Sequence, residues 1–269
     1  MNNFVLVHIG DSVPRHLKVC IQQILNTNKN ADIILASNLN IRAPGVHCIN
    51  INKLSYKETG GYFQNNSDPL WITSLKRIFI LDSIIQKFNL KNTIHFDNDV
   101  LVFHDISEIK HLLSAPLYMT PHKLTEFTFG LCYAKETSSL SSLSEEIYKL
   151  ILLGESKVKE LTKDETHEMR LLGYANNNHI TSLPVHPSIN EPINNFIFDP
   201  SSYGQFIGGT PNGHSPGFID DMQLAGSCFK LYPPSIRFVD RKPILDFNSN
   251  SYKIFNLHVH SKQLDKYAT

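Results

Sequence analysis

The residues of this chain that are best suited to chemistry are two aspartates, Asp97 and Asp99. They interrupt the segment TIHFDNDVLVF, whose apolar and β-branched residues predict a buried strand. Buried carboxylates are costly unless a cation or hydrogen-bond donors compensate them. Residues two apart on extended chain point to the same side, so both carboxylates could bind one divalent cation and, with it, a diphosphate. Because an Asp-x-Asp pair also arises by chance, the alternative is a solvated turn at the strand end.

Three further residues that could serve this site lie near the C-terminus. The segment IFNLHVHSK places His258, His260 and Lys262 at alternate positions of a predicted extended stretch, where all three can face one side. One imidazole could complete a metal site begun by two carboxylates, and an ammonium could neutralise a leaving phosphate. The alternative is that a terminal histidine is simply buried and hydrogen-bonded.

A glycine-rich segment, YGQFIGGTPNGHSPGFIDD, ends in the acidic pair Asp220 and Asp221. Glycines let backbone approach a ligand closely, so this segment is interpreted as a loop over the substrate, with a flexible surface loop as the alternative. It has neither the Gly-Lys-Ser/Thr ending of a Walker loop nor the position of a dinucleotide-binding GxGxxG. The acidic pair precedes a predicted short helix, 222–228, and is either a capping pair or the source of a general base. The glycines concerned are Gly204, Gly208, Gly209, Gly213 and Gly217.

The elements that must position these residues alternate between strand and helix in the first half. Strands are predicted at 4–9 and 32–36 with a helix at 17–25 between them, and this alternation favours a mainly parallel sheet that binds ligands beyond the carboxyl ends of its strands. A second helix is predicted from about 70 to 88, with Asp68 as N-cap and Pro69 at its first position. A break at 89–92 then leads directly into the acidic strand.

The second half has a different pattern. Residues 138–173 predict an amphipathic helix rich in Glu and Lys, and 184–216 predict a loop.

Composition excludes several classes of protein. The 269 residues include 25 Lys and Arg against 25 Asp and Glu, whereas a general nucleic-acid binder would be basic. The four cysteines show no ligand spacing, which favours reduced thiols in a cytoplasmic protein. We expect neither a signal peptide nor a membrane span, since no basic leader and no long apolar run occur.

The order of these motifs resembles that of the metal-dependent glycosyltransferases of GT-A fold, over roughly residues 4–262. The resemblance implies an α/β fold with a Rossmann-like, mainly parallel central sheet flanked by helices. It implies one catalytic domain over residues 1–269. Residues up to about 105 would form the nucleotide-binding half, and 106–269 would form the acceptor-binding half and carry the strand with the late metal ligand.

The same resemblance implies roles for individual residues. Asp97, Asp99 and His258 would hold Mn²⁺ or Mg²⁺, with Asp99 preferred as a direct ligand and His260 competing with His258. Lys262 would contact the diphosphate of a UDP- or GDP-linked sugar, and the acceptor would be a glycan or glycoconjugate. The remaining residues assigned to the donor are His8, Ile9, Gly10, Lys76, Arg77, Asn98, Gly208 and Gly209.

For the reaction, we expect direct displacement with inversion if Asp221 lies beside the acceptor hydroxyl, with Asp220 as the competing base. If neither residue does, a retaining mechanism is the better account. A sugar nucleotidyltransferase would carry a glycine-rich basic loop after its first strand, but here that segment is HIGDSVPRH. A further alternative is a binding module that holds a nucleotide or carbohydrate without turnover. A calcium loop is disfavoured because the flanks of the Asp pair are apolar.

Overall fold

The computed structural model describes residues 2–59, 62, 69–163, 166–211 and 213–269. Its first half alternates strands and helices as the sequence predicts. The elements are β1 (Asn2–His8), α1 (Arg15–Thr27), β2 (Ala31–Ser37), β3 (Val46–Asn50), α2 (Pro69–Lys87), β4 (Thr93–Phe96), β5 (Val100–Val102), β6 (Leu117–Lys123) and β7 (Glu126–Ala134).

The central sheet has seven strands in the order β3-β2-β1-β4-β7-β6-β8, where β8 is Thr181–Ser182. Strands β3, β2, β1 and β4 are parallel to one another, whereas β7 runs antiparallel to both β4 and β6. Alternate residues of β1 and β2 pack on opposite faces of the sheet, one face against α1 and the other against α2. The predicted fold class, α/β with a mainly parallel central sheet flanked by helices, is confirmed.

Helix α2 ends where the sequence predicts a break. Its predicted N-cap, Asp68, lies outside the described residues. After Lys87, Asn89 and Asn92 adopt φ of 49° and 50°, a left-handed conformation that asparagine tolerates better than most residues. The chain therefore turns back at once into β4.

The second half departs from the predicted single helix over 138–173. The structure has three helices there, α3 (Ser141–Leu152), α4 (Glu155–Thr162) and α5 (Glu168–Tyr174). Gly154, at φ 83°, separates the first two, and Lys163, at φ 57°, ends the second. The prediction of one helix was wrong because these interruptions let each short helix turn its own apolar side inward.

The prediction of a loop over residues 184–216 was also wrong in part. It contains β9 (Phe196–Ile197) and α6 (Ser202–Gly208), which are followed by α7 (Leu224–Leu231). Phe196, Ile197 and Tyr203 are fully buried, so this stretch belongs to the core.

Two small sheets complete the fold. The last strands are β10 (Ser235–Val239), β11 (Lys242–Phe247), β12 (Asn250–Ile254) and β13 (Asn256–His258). One sheet has the order β10-β11-β12-β9, and the other pairs β13 with β5. All four cysteines are free thiols. Among the described helices, none combines the length and the apolar character needed to cross a bilayer.

Candidate active site

The Asp97-Asn98-Asp99 motif forms a turn between two strands. Strand β4 ends at Phe96, and the Val100 amide donates to the Asp97 carbonyl at 3.1 Å to close the turn before β5 begins. The expectation that both aspartates lie on extended chain is therefore wrong, since the chain leaves the central sheet here to enter the small one. The turn still brings the two carboxylates together.

His258 reaches the turn through strand pairing. Strand β13 runs antiparallel to β5 with His258 opposite Val100, and the Val259 amide donates to the Asp99 carbonyl at 2.9 Å. The Nε2 atom of His258 lies 3.1 Å from Asp99 Oδ1 and 3.7 Å from Asp97 Oδ2. One ligand atom from each of the three residues lies within 4.8 Å of the others. We call these three residues the acidic cluster.

The chemistry of this donor set fits a divalent cation. Asp99 and His258 are buried, so their ligand atoms are held in place rather than free in solvent. Two carboxylates and one imidazole suit metals such as Mn²⁺, for which oxygen and nitrogen ligands are both acceptable. Asp97, Asp99 and His258 would hold the ion.

Two cations compensate the two carboxylates. The Lys262 ammonium contacts Asp99, and the Arg77 guanidinium contacts Asp97. Burial by itself raises the pKa of Asp99, but the imidazole of His258 and the ammonium of Lys262 outweigh it and hold the pKa well below its ordinary value. Asp99 is therefore an anion at neutral pH.

Lys262 reaches Asp99 by a turn and not by the predicted strand alternation. Strand β13 ends at His258, and the Lys262 amide donates to the Val259 carbonyl at 2.9 Å while Lys262 itself adopts φ 61°. The turn folds the side chain back toward Asp99. The expected extended run over His258, His260 and Lys262 was wrong, although all three side chains still gather at this end of β13.

Arg77 lies on α2 between Asp97 and a buried carboxyl group, Glu168. The Phe129 amide donates to Glu168 Oε1 at 3.2 Å. Burial raises the pKa of Glu168 to about 7, against the opposing charge of Arg77 and the bond from Phe129. Lys76, the neighbour of Arg77, makes no hydrogen bond or ion pair with any described residue. Sequence reasoning missed Glu168, because it looks like any other acidic residue of an amphipathic segment.

Gly130 makes room for the His258 ring. A Cβ at this position would lie 3.0 Å from His258 Nδ1 and 3.0 Å from Thr128 Oγ1. The pairing of β6 with β7 is also irregular here, passing from Met119–Cys132 to Thr120–Thr128. Such a bulge redirects side chains beside many active sites. A glycine inside the apolar run EFTFGLCYA was the sequence signal for this feature.

Asp199 fixes the backbone of His258. Its Oδ2 accepts hydrogen bonds from the amides of His258 at 2.9 Å and Gly204 at 2.8 Å, and its Oδ1 accepts from Ser201 and Tyr203. One buried carboxylate thus joins the start of α6 to β13. The Asp-Pro dipeptide at 199–200, ahead of a helix, was the available sequence signal.

The end of β1 forms the neighbouring rim of the site. The Asn98 side-chain amide lies 3.3 Å from the Val7 carbonyl and 3.3 Å from His8 Nδ1. Gly10 is held by two hydrogen bonds to the side chain of Asn38. His8 and Asn98, both predicted to bind the sugar-nucleotide donor, therefore lie together. Ile9 and Gly10 follow them at the carboxyl end of the strand.

His260 lies beside the acidic cluster without being part of it. Its ring centroid is 4.4 Å from that of His258, and its Nδ1 is 3.5 Å from Gln205 Nε2. Among the described residues, only Asp97, Asp99 and His258 form a group with metal-ligand spacing.

The acidic pair is split between two environments. Asp221 is half exposed and pairs with Lys230 at 2.5 Å, and this hydrogen bond lowers the pKa of Asp221. Asp220 accepts from Gln223 Nε2 at 3.2 Å, and Gln223 also donates to Gln205 at 3.2 Å. Asp220 is thus connected through two glutamines to His260, whereas Asp221 points to a surface lysine.

Two of the five glycines predicted to form a loop, Gly204 and Gly208, lie on α6. A Cβ at Gly204 would be 2.0 Å from the His258 carbonyl oxygen, so this glycine allows α6 to pack directly on β13. Gly208 ends the helix beside Ser261 and Tyr267, and Gly209 follows it. The first part of the segment thus reaches the site as a helix that supports His258.

Comparisons with known proteins were made by sequence and by structure. No protein-family model matches the sequence, and no curated protein matches it significantly. Among solved structures, the chain is similar to the glycosyltransferase GlyE of Streptococcus pneumoniae, with 12% identity and a TM-score of 0.46. That match covers 68% of this chain and 46% of GlyE, so the chain spans less than half of that protein.

Two other solved structures show the same degree of likeness. They are the galactosyltransferase LgtC in complex with donor and acceptor sugar analogues (12% identity, TM-score 0.45, 68% of this chain and 73% of LgtC) and mouse xyloside xylosyltransferase 1 (12%, 0.43, 68% and 85%). These structural neighbours are GT-A glycosyltransferases. The likeness is partial and the sequence identity is low.

Proposed function

We propose that this protein is a glycosyltransferase that moves a sugar from a nucleoside-diphosphate sugar, UDP- or GDP-linked, to a hydroxyl group of a glycan or glycoconjugate. The observation that carries the proposal is the acidic cluster with Lys262 and Arg77 against it. Two carboxylates and an imidazole converge at the carboxyl end of a central strand, where α/β sheets bind their ligands.

The charges of the site favour a diphosphate. The anions Asp97 and Asp99 are balanced by the cations Arg77 and Lys262. A divalent cation added to this balanced group leaves an excess of positive charge, which a diphosphate would offset. The ion, as Mn²⁺ or Mg²⁺, would stabilise the negative charge that develops on the departing nucleoside diphosphate.

Lys262 and Arg77 have different parts in this proposal. The Lys262 side chain is 49% exposed, so its ammonium can move from Asp99 to a bound phosphate. Arg77 is largely enclosed and lies between Asp97 and Glu168, which suits it to hold the Asp97 carboxylate in place. His8, Ile9, Gly10 and Asn98 would then flank the nucleotide, in the half that ends at about residue 105.

For the acceptor, we propose Asp220 as the general base if the reaction inverts. It is the member of the acidic pair whose hydrogen bonds lead through Gln223 and Gln205 toward the cluster. Asp221, the base favoured by the sequence, is engaged with Lys230 at the surface. Both residues lie in the second half, to which we assign acceptor binding.

The first test is a thermal-shift panel of UDP, GDP, CDP and ADP, each with and without Mn²⁺. A ligand that binds the folded state raises the apparent Tm by mass action. We expect one diphosphate to raise the Tm only when Mn²⁺ is present. The Asp99→Asn variant should lose this shift and all sugar transfer while folding normally, because it removes a ligand charge from the cluster.

Asp240→Asn is the matched control. Asp240 is exposed in the turn between β10 and β11 at φ 49°, where asparagine is well tolerated. This variant should keep the full shift. A wild-type protein that binds no diphosphate, or an Asp99→Asn protein with unchanged turnover, would contradict the proposal. Metal-dependent binding without hydrolysis or transfer of any donor would instead indicate a binding module.

A further inference from the structure

Three polar atoms close to His258 are buried without a hydrogen-bond partner among the described residues. They are Thr120 Oγ1, His122 Nδ1 and His260 Nε2. An unsatisfied buried polar atom destabilises the folded state, so native proteins contain few of them. Several such atoms at one place, next to the acidic cluster, indicate groups that are arranged to meet a ligand.

Strand pairing places Thr120 on one face with Thr128. Thr120 on β6 is paired with Thr128 on β7, whose neighbours Phe127 and Phe129 pack on the opposite face of the sheet. His122 follows in an irregular part of the pairing between β6 and β7. The side chains of such a cross-strand pair lie about 4.5–5.5 Å apart at Cβ. Thr128 Oγ1 in turn lies 3.0 Å from the position that a Cβ of Gly130 would occupy, as does His258 Nδ1. The polar face of β6 and β7 therefore adjoins the His258 ring.

His260 faces this group from the other side of His258. Its ring lies 4.4 Å from the ring of His258. His122 also lies near enough to Asp220, His258 and His260 for their charges to act on one another. Thr120 therefore adjoins His258 through Thr128, and His122 and His260 lie near the same ring.

On this basis we propose that Thr120, His122 and His260 form a subsite for the ring of an uncharged sugar, whose hydroxyl groups satisfy the three atoms. This inference rests on the proposed function and specifies the kind of sugar that its nucleotide donor carries. A hydroxyl both donates and accepts, as do a threonine hydroxyl and the two nitrogens of a neutral imidazole taken together.

The charges around the subsite disfavour an acidic sugar. Burial lowers the pKa of His122 to about 4, so its ring carries no charge at neutral pH. The nearby Lys123 is engaged with Glu126, at 3.2 Å. The Asp220 carboxylate would repel the carboxylate of an acidic sugar. Among the described cations near the subsite, Lys123 is paired with Glu126, and Lys262 contacts Asp99 and is assigned to the diphosphate. The carboxylate of a uronic acid would therefore gain no cation of its own from these residues, whereas a neutral hexose needs none.

The test compares sugar nucleotides by calorimetric titration in the presence of Mn²⁺. If the thermal-shift panel selects UDP, the ligands are UDP, UDP-glucose, UDP-galactose, UDP-N-acetylglucosamine and UDP-glucuronate. If it selects GDP, they are GDP, GDP-mannose and GDP-mannuronate. We expect at least one neutral conjugate to bind more tightly than the parent diphosphate, and the acidic conjugate to bind no more tightly than that parent.

Variants then locate the effect. His122→Phe keeps a ring of similar size and Thr120→Val keeps the shape of the side chain, but each removes a hydrogen bond. Each variant should raise the Kd of the neutral conjugate about fivefold to tenfold and leave the Kd of the parent diphosphate unchanged. Thr120→Ser, which retains the hydroxyl, should restore binding, and the exposed His111→Phe is the matched control. An unchanged Kd for the parent diphosphate also shows that each variant is folded.

The possible failures are distinguishable. Equal or tighter binding of the acidic conjugate by the wild type would overturn the subsite, as would unchanged affinity for neutral conjugates in both His122→Phe and Thr120→Val. In either case, metal-dependent binding of the parent diphosphate would leave the proposed function standing. Loss of that binding in the wild type would overturn both proposals.

Discussion

At the scale of single residues, the charges beside the acidic cluster are linked by one arginine. Arg77 lies between Asp97, which it contacts, and Glu168, whose charge acts on it through the protein interior. Glu168 is almost fully buried and accepts one backbone hydrogen bond, from Phe129. A single guanidinium cannot fully compensate two carboxylates, so the more buried of them holds its proton to higher pH.

This arrangement predicts an unusual pH dependence for Glu168. Burial raises the pKa of Glu168 from 4.5 to about 7, so between these values the folded state binds more protons than the unfolded state. The stability that the protonated carboxyl contributes is therefore present below pH 4.5 and lost as the pH rises through 7. We expect Glu168→Gln to unfold like the wild type at pH 5 and to be more stable at pH 8, by on the order of 3 kcal/mol.

Urea unfolding at the two pH values measures this difference. Glu146→Gln is the control, because Glu146 belongs to a surface pair with Lys149 whose contribution is small. The interpretation fails if Glu168→Gln differs from the wild type by the same amount at pH 5 and pH 8.

At the scale of elements, the position of His258 depends on the contact between α6 and β13. Asp199 joins the two through four backbone amides, and Gly204 lets the helix lie directly on the strand. Neither contact involves the His258 imidazole. The packing of backbone on backbone nevertheless decides where that ring meets Asp99.

Gly204→Ala tests this contact. The added methyl group would lie 2.0 Å from the His258 carbonyl oxygen, so α6 must move away from β13. Overpacking of this kind typically lowers the free energy of unfolding by about 1–3 kcal/mol, and the displaced strand should also weaken Mn²⁺ binding.

Gly10→Ala is the control for stability, since a Cβ there would meet its nearest neighbour only at 3.4 Å. Chemical denaturation and Mn²⁺ titration by electron paramagnetic resonance check both effects. Wild-type stability in Gly204→Ala would show that α6 is not fixed on the strand.

The elements also show how far the sequence determines the fold. The alternation of β1, α1 and β2 and the extent of α2 follow from local periodicity, which acts over a few residues. The division of the segment after residue 138 into three helices does not follow from local periodicity. Gly154 and Lys163 interrupt the helix there, although the pattern of apolar residues continues in phase across them. Helix α6 was missed because its glycines suggest a loop until β13 is known to lie against it.

At the scale of the whole molecule, the site combines predictable and unpredictable parts. Asp97, Asp99 and His258 could be proposed from residue type and strand context, and the structure places them together. Glu168 and Asp199 could not be ranked above other acidic residues, because what distinguishes them is burial and long-range contact. The choice between Asp220 and Asp221 likewise depends on which neighbour, Gln223 or Lys230, each one meets.

The molecule as a whole buries several histidines in uncharged form, and this predicts sensitivity to acid. Burial lowers the pKa of His95 and His104 to about 3 and the pKa of His186 to about 4, and all three are nearly inaccessible to solvent. In the unfolded chain these rings take up protons near pH 6.5. Each ring therefore stabilises the fold fully above pH 6.5, and its contribution falls by about 1.4 kcal/mol for every pH unit between 6.5 and its pKa in the folded protein.

His104 offers the sharpest test of this prediction. Its ring packs on Phe196 and Phe255, with centroid distances of 4.8 and 6.3 Å, so His104→Phe replaces it by a ring of similar size that cannot be protonated. We expect the variant to lose stability less steeply than the wild type between pH 6.5 and 4, by about 1.4 kcal/mol per pH unit. His47→Phe, at an exposed position of β3, should leave the slope unchanged.

Parallel slopes for His104→Phe and the wild type would show that His104 takes up its proton in the folded protein as readily as in the unfolded chain. Because Glu168 acts in the opposite direction over part of this range, the comparison is most informative in the Glu168→Gln background, which removes that opposing contribution to the slope.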